Sequence, residues 1–144
     1  MITDEWLSGF IDGEGSIGIA GHGGSLQPRF RINQRDDDGD LVRAIREYIG
    51  LGTLHGKYDR KNINAKPQLA YCLVGSDCNA LTAILDRAPL RSKKRFEYPH
   101  WKKAVEIYSN NLCNRWSGDL VARGAMLQPL KDKIEASRLY IGAR

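Results

Sequence analysis

Two acidic residues, Asp12 and Glu14, stand at the end of the apolar run Leu7-Ser8-Gly9-Phe10-Ile11, each followed by a glycine, Gly13 and Gly15. The run reads as a helix from about Trp6 to Ile11, with Thr3 as its N-cap and the two glycines as its stop. A helix C-terminus already carries partial negative charge, so acids placed there call for a positive neighbour. A hard divalent cation meets that need. It prefers carboxylate and carbonyl oxygen and is often held by one or two carboxylates together with phosphate.

The rest of the chain is compatible with a phosphate-bearing partner. Its 144 residues are enough for one domain with a real core. Lys and Arg number 22 against 17 Asp and Glu, for a net charge of +5 and a pI near 9.2. The excess is concentrated: Arg91, Lys93, Lys94, Arg95, Lys102 and Lys103 face one acid, Glu97, in the same stretch. A polyanion partner accounts for such a patch, and so does a solvated helix face. Cys72, Cys78 and Cys113 form no CxxC pair, and His22, His55 and His100 lack ligand spacing, which argues against zinc and a disulfide framework. The acidic N-terminus is followed by no long apolar stretch, so neither a secretory signal nor a membrane span is expected. An intracellular, reduced setting follows, with cytoplasm, nucleoid and organelle not distinguished.

Several elements must position these residues. Ser16 to Ala20 reads as a strand, and residues 21–25 as a turn. Arg29 to Arg35 alternates, with Phe30 and Ile32 on one face and Arg29, Arg31 and Asn33 on the other. The acids from Asp36 to Asp40 open a helix that Gly50 and Gly52 close. Thr53 to Tyr58 and Gln68 to Val74 make a second hairpin, joined by a polar loop that holds Arg60 and Lys61. Helices are expected over Asp77 to Leu85, over Lys93 to Tyr108 with an interruption or kink near Pro99, and over Ser117 to Tyr140 with a break near Pro129. Four antiparallel strands with one polar face leave a wet side carrying Arg29, Arg31, Asn33, His55 and Lys57. A sheet of that width fits a DNA major groove, although an amphipathic sheet facing solvent has the same pattern.

Gly13-Glu14-Gly15-Ser16-Ile17-Gly18 satisfies G-x-G-x-x-G, but a dinucleotide fold needs the pattern after a strand and before a helix. Here the order is reversed, and a carboxylate in the loop would repel a pyrophosphate.

The nonamer Leu7-Ser8-Gly9-Phe10-Ile11-Asp12-Gly13-Glu14-Gly15 resembles the signature of the LAGLIDADG homing endonucleases, with acids at the sixth and eighth positions in both. The chain is also similar to that family in length and element order over about residues 3–110. The resemblance implies an α+β fold of order αββαββα, with a four-stranded antiparallel DNA-binding sheet. Residues 1–111 would form the endonuclease domain, and residues 112–144 a helical extension packed on it.

It further implies a site-specific DNA endonuclease that cuts both strands with magnesium, for which manganese can substitute. Glu14 takes the metal-binding position, with the Gly13 carbonyl as a neighbouring ligand and Asp12 as a secondary, structural acid. Gln34 matches a polar position near the attacking water. Lys93 matches a basic position near the scissile phosphate, with Lys94 its neighbour in register. Where some family members follow the Gln position with a basic residue, this chain has Asp36, Asp37 and Asp38, leaving Arg35 or Arg43 to substitute.

A single nonamer implies a homodimer that pairs the helices bearing Trp6, Leu7, Ser8, Gly9, Phe10 and Ile11, with Ser8 and Gly9 small enough for close approach. Two-fold symmetry then implies a palindromic or near-palindromic duplex target. On the wet face Arg29 and Arg31 suit guanine, Asn33, His55 and Gln68 suit other base edges, and Lys57, Arg60 and Lys61 suit phosphates. Two rival readings are an inactive relative that binds nucleic acid, such as a maturase acting on intron RNA or a regulator, and a non-catalytic α+β interaction module.

Overall fold

In the computed structural model, the described residues are 1–57, 67–110 and 120–142. The helices are α1 (Asp4–Glu14), α2 (Gly39–Ile49), α3 (Asn79–Arg87), α4 (Lys94–Asn110) and α5 (Leu120–Gly142). The strands are β1 (Gly15–Ala20), β2 (Gln27–Arg35), β3 (Thr53–Lys57) and β4 (Gln68–Val74). All neighbouring strands are antiparallel, in the order β1-β2-β4-β3. The expected fold class and element order are therefore present.

Alternation along the strands decides which face the helices cover. Ile17, Phe30, Ile32, Leu69, Tyr71 and Leu73 are buried on one side, in a core completed by Leu7, Ile11, Ile45, Leu81, Leu85 and Trp101 from the helices. Phe30 and Tyr71 meet edge to face at 6.2 Å, an arrangement that suits the charge distribution of the rings. Trp101 is fully buried, and its indole N–H donates to the carbonyls of Gly18 and Arg29 at 3.0 and 3.2 Å. That satisfies the polar atom of a large core side chain.

Several expected boundaries move, each for a physical reason. Helix α1 runs past Gly13 and ends at Glu14, so only Gly15 terminates it. Thr3 caps its start as expected, accepting from the Trp6 N–H at 3.1 Å. Gly15 is where the chain turns directly from helix to strand. A Cβ there would lie 2.9 Å from Ile11 Cγ2 and 3.1 Å from the Ile11 carbonyl oxygen. The acids Asp36–Asp38 form a 3-10 turn, and α2 begins only at Gly39. Gly52 has φ +103°, and any Cβ on it would strike the Tyr71 ring at 2.5 Å.

Neither Pro99 nor Pro129 breaks its helix: α4 and α5 each run through their proline. A proline forfeits one backbone hydrogen bond. Burial on either side of these two, at Glu97 and Trp101 in α4 and at Leu127 and Leu130 in α5, favours continuation. Helix α5 packs along α4 and against β1 and the 23–25 turn. The expected domain boundary at 111/112 lies outside the described residues.

Candidate active site and nucleic-acid face

The two acids of the nonamer have different surroundings. Asp12 is half-buried and accepts from the Arg91 N–H at 2.9 Å and the Ser92 N–H at 2.9 Å. Burial pushes this carboxyl up, but hydrogen bonds from Ser92 and Arg91, with the nearby Lys94 charge, outweigh it and hold the group below the ordinary Asp value. Lys94 completes the joint by donating from its ammonium to the Asp12 carbonyl at 2.8 Å. That is cationic capping of a helix end, where carbonyls lack intrahelical partners. Asp12 thus ties the end of α1 to the start of α4.

Glu14 is exposed at the last position of α1. Its Oε2 accepts from Gln34 Nε2 at 3.4 Å, a long contact across from the end of β2. The structure therefore brings together the carboxylate and the amide that the sequence resemblance paired. Gly13, also exposed, lies in the last turn of α1, where carbonyl oxygens are left over by the helix. One carboxylate beside one helix-end carbonyl is a hard-oxygen donor set, the type that magnesium takes while keeping several waters. No three His, Cys, Asp or Glu side chains cluster as a metal cage among the described residues.

The basic stretch after Pro89 resolves into separate jobs. Lys102 pairs with Asp86 at 2.7 Å and Lys103 with Glu106 at 3.7 Å. Arg95 folds back onto the Arg91 and Ser92 carbonyls and lies over the Phe96 ring. Lys94 is occupied by Asp12. Lys93 is exposed, and no side-chain hydrogen bond or ion pair holds it among the described residues. It lines a recess of about 310 Å³ with Asp12, Gly15, Ser16, Glu97 and Arg138.

On the open sheet face Arg29 and Asn33 are exposed and Arg31 is half-buried. Arg31 Nε donates to Asn33 Oδ1 at 3.2 Å. On β3, Thr53 Oγ1 and His55 Nε2 lie 2.9 Å apart. Ala70 of β4 is fully buried, and its register neighbours are Asn33 on one side and His55 on the other. Gln68 is exposed at the end of β4, and the register sets Lys57 opposite it. Arg60 and Lys61 lie outside the described residues. Arg35 and Arg43 are drawn to neighbouring acids, Asp37 at 3.3 Å and Asp40 at 3.4 Å.

One expectation needs correction. Of the six residues assigned to the dimer interface, Leu7, Ser8 and Ile11 face the chain's own core. Leu7 and Ile11 are fully buried, and the Ser8 hydroxyl donates to the Pro89 carbonyl at 3.1 Å. Helical periodicity sends positions 7, 8 and 11 to one side and 6, 9, 10 and 13 to the other. The outward face is therefore Trp6, Gly9 and Gly13, with Phe10 half-buried against the core and stacked on Trp6 at 5.2 Å. A Cβ on Gly9 or Gly13 would meet nothing within 4 Å. Gly13 joins this face because α1 continues past it to Glu14, where its helical spacing from Trp6, Gly9 and Phe10 holds.

Comparison with known proteins places this geometry. The sequence profile of the family described as LAGLIDADG endonuclease matches residues 7–105. The chain is similar to the probable intron-encoded endonuclease 3 of Neurospora crassa, at 27% identity over 117 residues, covering 75% of this chain and 21% of that protein. Its fold is similar to the LAGLIDADG meganuclease I-CpaMI bound to uncleaved DNA, with a TM-score of 0.72 at 23% identity over 91% of this chain and 43% of that one. It is similar also to I-AabMI bound to uncleaved DNA, with a TM-score of 0.66 at 31% identity over 77% of this chain and 38% of that one. For the homing endonuclease I-TnaI the TM-score is 0.68 at 18% identity, over 94% of this chain and 98% of that one. The chain thus spans about a fifth of the fungal relative and less than half of the two DNA-bound meganucleases.

Proposed function

Since the chain belongs to the LAGLIDADG endonuclease family, we propose that it is a site-specific DNA endonuclease that acts as a homodimer on a palindromic or near-palindromic duplex. The observation that carries this reading is the exposed Glu14 carboxylate at the end of α1, in contact with Gln34 near the end of β2, the strand whose opposite face is basic and uncovered. The curated relative is named as an endonuclease, and two structural relatives are bound to DNA.

Glu14 and the Gly13 carbonyl would hold magnesium or manganese, which supplies a nucleophilic water and charge neutralisation at the phosphate. Gln34 orients water beside Glu14 through its amide and carries no proton itself. Lys93 extends an unengaged ammonium toward the charge that builds on the scissile phosphate. Each chain supplies one Glu14, so two copies paired through α1 supply one for each DNA strand. Gly9 and Gly13 allow the backbones to approach closely, with Trp6 and Phe10 as flanking contacts. Arg29, Arg31, Asn33, His55 and Gln68 read bases, and Lys57, Arg60 and Lys61 bind phosphates.

The test is a cleavage selection on randomised inverted-repeat duplexes with magnesium, comparing wild type with Glu14→Gln. Wild type is expected to enrich one cut palindrome, and the variant to bind it without cutting. Binding of one sequence with no cutting by either protein would favour an inactive binder. Cutting by a clean Glu14→Gln preparation would remove Glu14 from the metal site.

A further inference from the structure

The recess at the start of α4 contains an ion pair that the catalytic reading does not use. It is lined by the cations Lys93, Lys94 and Arg138 and the anions Asp12 and Glu97. Glu97 is 8% exposed, and among the described residues Arg138 of α5 is the side chain that meets it, Nε to Oε1 at 2.5 Å. The same guanidinium donates from Nη2 to the Ile17 carbonyl at 2.7 Å, on the edge strand β1. Lys94 is committed to the Asp12 carbonyl. Lys93, the residue just before α4, lines the same recess as Glu97. A buried carboxylate that loses its partner is costly and draws in the nearest available cation. With Lys94 held by Asp12, Lys93 is the recess cation left for that role.

We propose that Arg138 is a positioning residue for Lys93: by occupying Glu97 it keeps the Lys93 ammonium off that carboxylate and free for the DNA phosphate. The role given to Lys93 rests on the nuclease reading above. Arg138 on α5 lies outside residues 7–105, the segment that the family profile matches.

The test follows the Lys93 ammonium directly, by NMR of the lysine side-chain resonances, with Lys93→Arg identifying the signal. Arg138→Gln is expected to raise the pH at which Lys93 titrates. It should also slow cleavage by about a hundredfold, the scale of a misplaced catalytic group, at unchanged DNA affinity. Adding Glu97→Gln to that variant removes the competing carboxylate and should restore both. An unmoved Lys93 titration in Arg138→Gln overturns the proposal. So does a double variant in which neither property returns, because Arg138 would then be only a brace between α5 and β1. If Arg138→Gln does not fold, Glu97→Gln alone decides. That variant leaves the Arg138 guanidinium uncompensated in the recess, so Lys93 should titrate at lower pH while cleavage is retained, and an unmoved titration overturns the proposal because Lys93 would then not sense this pair. If wild type cuts no DNA, the nuclease reading fails while the titration still decides what holds Lys93.

Discussion

Lys93 and Lys94 are adjacent and alike in sequence, yet their surroundings assign them different work. Lys94 caps the end of α1, so Lys94→Ala should cost stability, about 1.5–3 kcal/mol for one hydrogen bond from a charged donor, visible as a lower Tm. Lys93→Ala should leave the Tm unchanged and remove cleavage. The reverse pattern would exchange their roles. Asn33 accepts from Arg31 through Oδ1, so among the described residues this pair presents mainly donors, the Asn33 amide and the Arg31 terminal nitrogens. Arg31→Ala should lose discrimination at one base pair per half-site, at about 1–3 kcal/mol, measured by binding a panel of single-base variants. A uniform loss across the panel would make Arg31 a phosphate contact. At this scale the nonamer exposed Glu14 directly, because a short motif contains its own geometry. The Arg138–Glu97 pair was not legible, since its members are 41 residues apart and nothing local marks either one.

Helix α1 joins three elements. Its first residue, Asp4, accepts from Arg87 on α3 at 2.7 Å and from the Tyr48 hydroxyl on α2 at 2.5 Å. The Arg87 hydrogen bond, then that from Tyr48, holds the Asp4 carboxyl below its ordinary value. A depressed acid contributes stability above its unfolded pKa, about 3.9, and loses it as pH falls through the lower folded value. The Tm gap between wild type and Asp4→Asn should therefore be present at neutral pH and close in strong acid. A gap that persists there would mean the contribution is not ionic. The free side of α1 makes a second prediction. A Cβ at Gly9 would meet nothing within 4 Å, and replacing Gly9 with Leu improves helix propensity by up to about 1 kcal/mol. The variant should keep or raise the monomer's stability while losing dimerisation by sedimentation and cleavage with it. Strand β2 was legible because period-two alternation needs only nearest neighbours. The end of α1 was not, because its carbonyl partner Lys94 lies 82 residues away.

For the whole molecule, one face of the sheet is filled by helices and the other is left to Arg29, Arg31, Asn33, His55 and Gln68. That division was legible from polarity alone. The two sides of α1 are not distinguishable in sequence, because Leu7, Ser8 and Ile11 are as apolar or as small as Trp6, Gly9 and Phe10. Only the position of α3 and of Pro89 reveals which side is already covered. With the free side identified, the distribution of tryptophans acquires a practical meaning. Trp101 is sealed in the core, whereas Trp6 is 40% exposed on the surface that a second copy would cover. With the third tryptophan removed as Trp116→Phe, the emission of Trp6 should move to shorter wavelength as the copies meet, against a constant contribution from Trp101. The chain thus carries an intrinsic optical gauge of its own association, readable by dilution without a label.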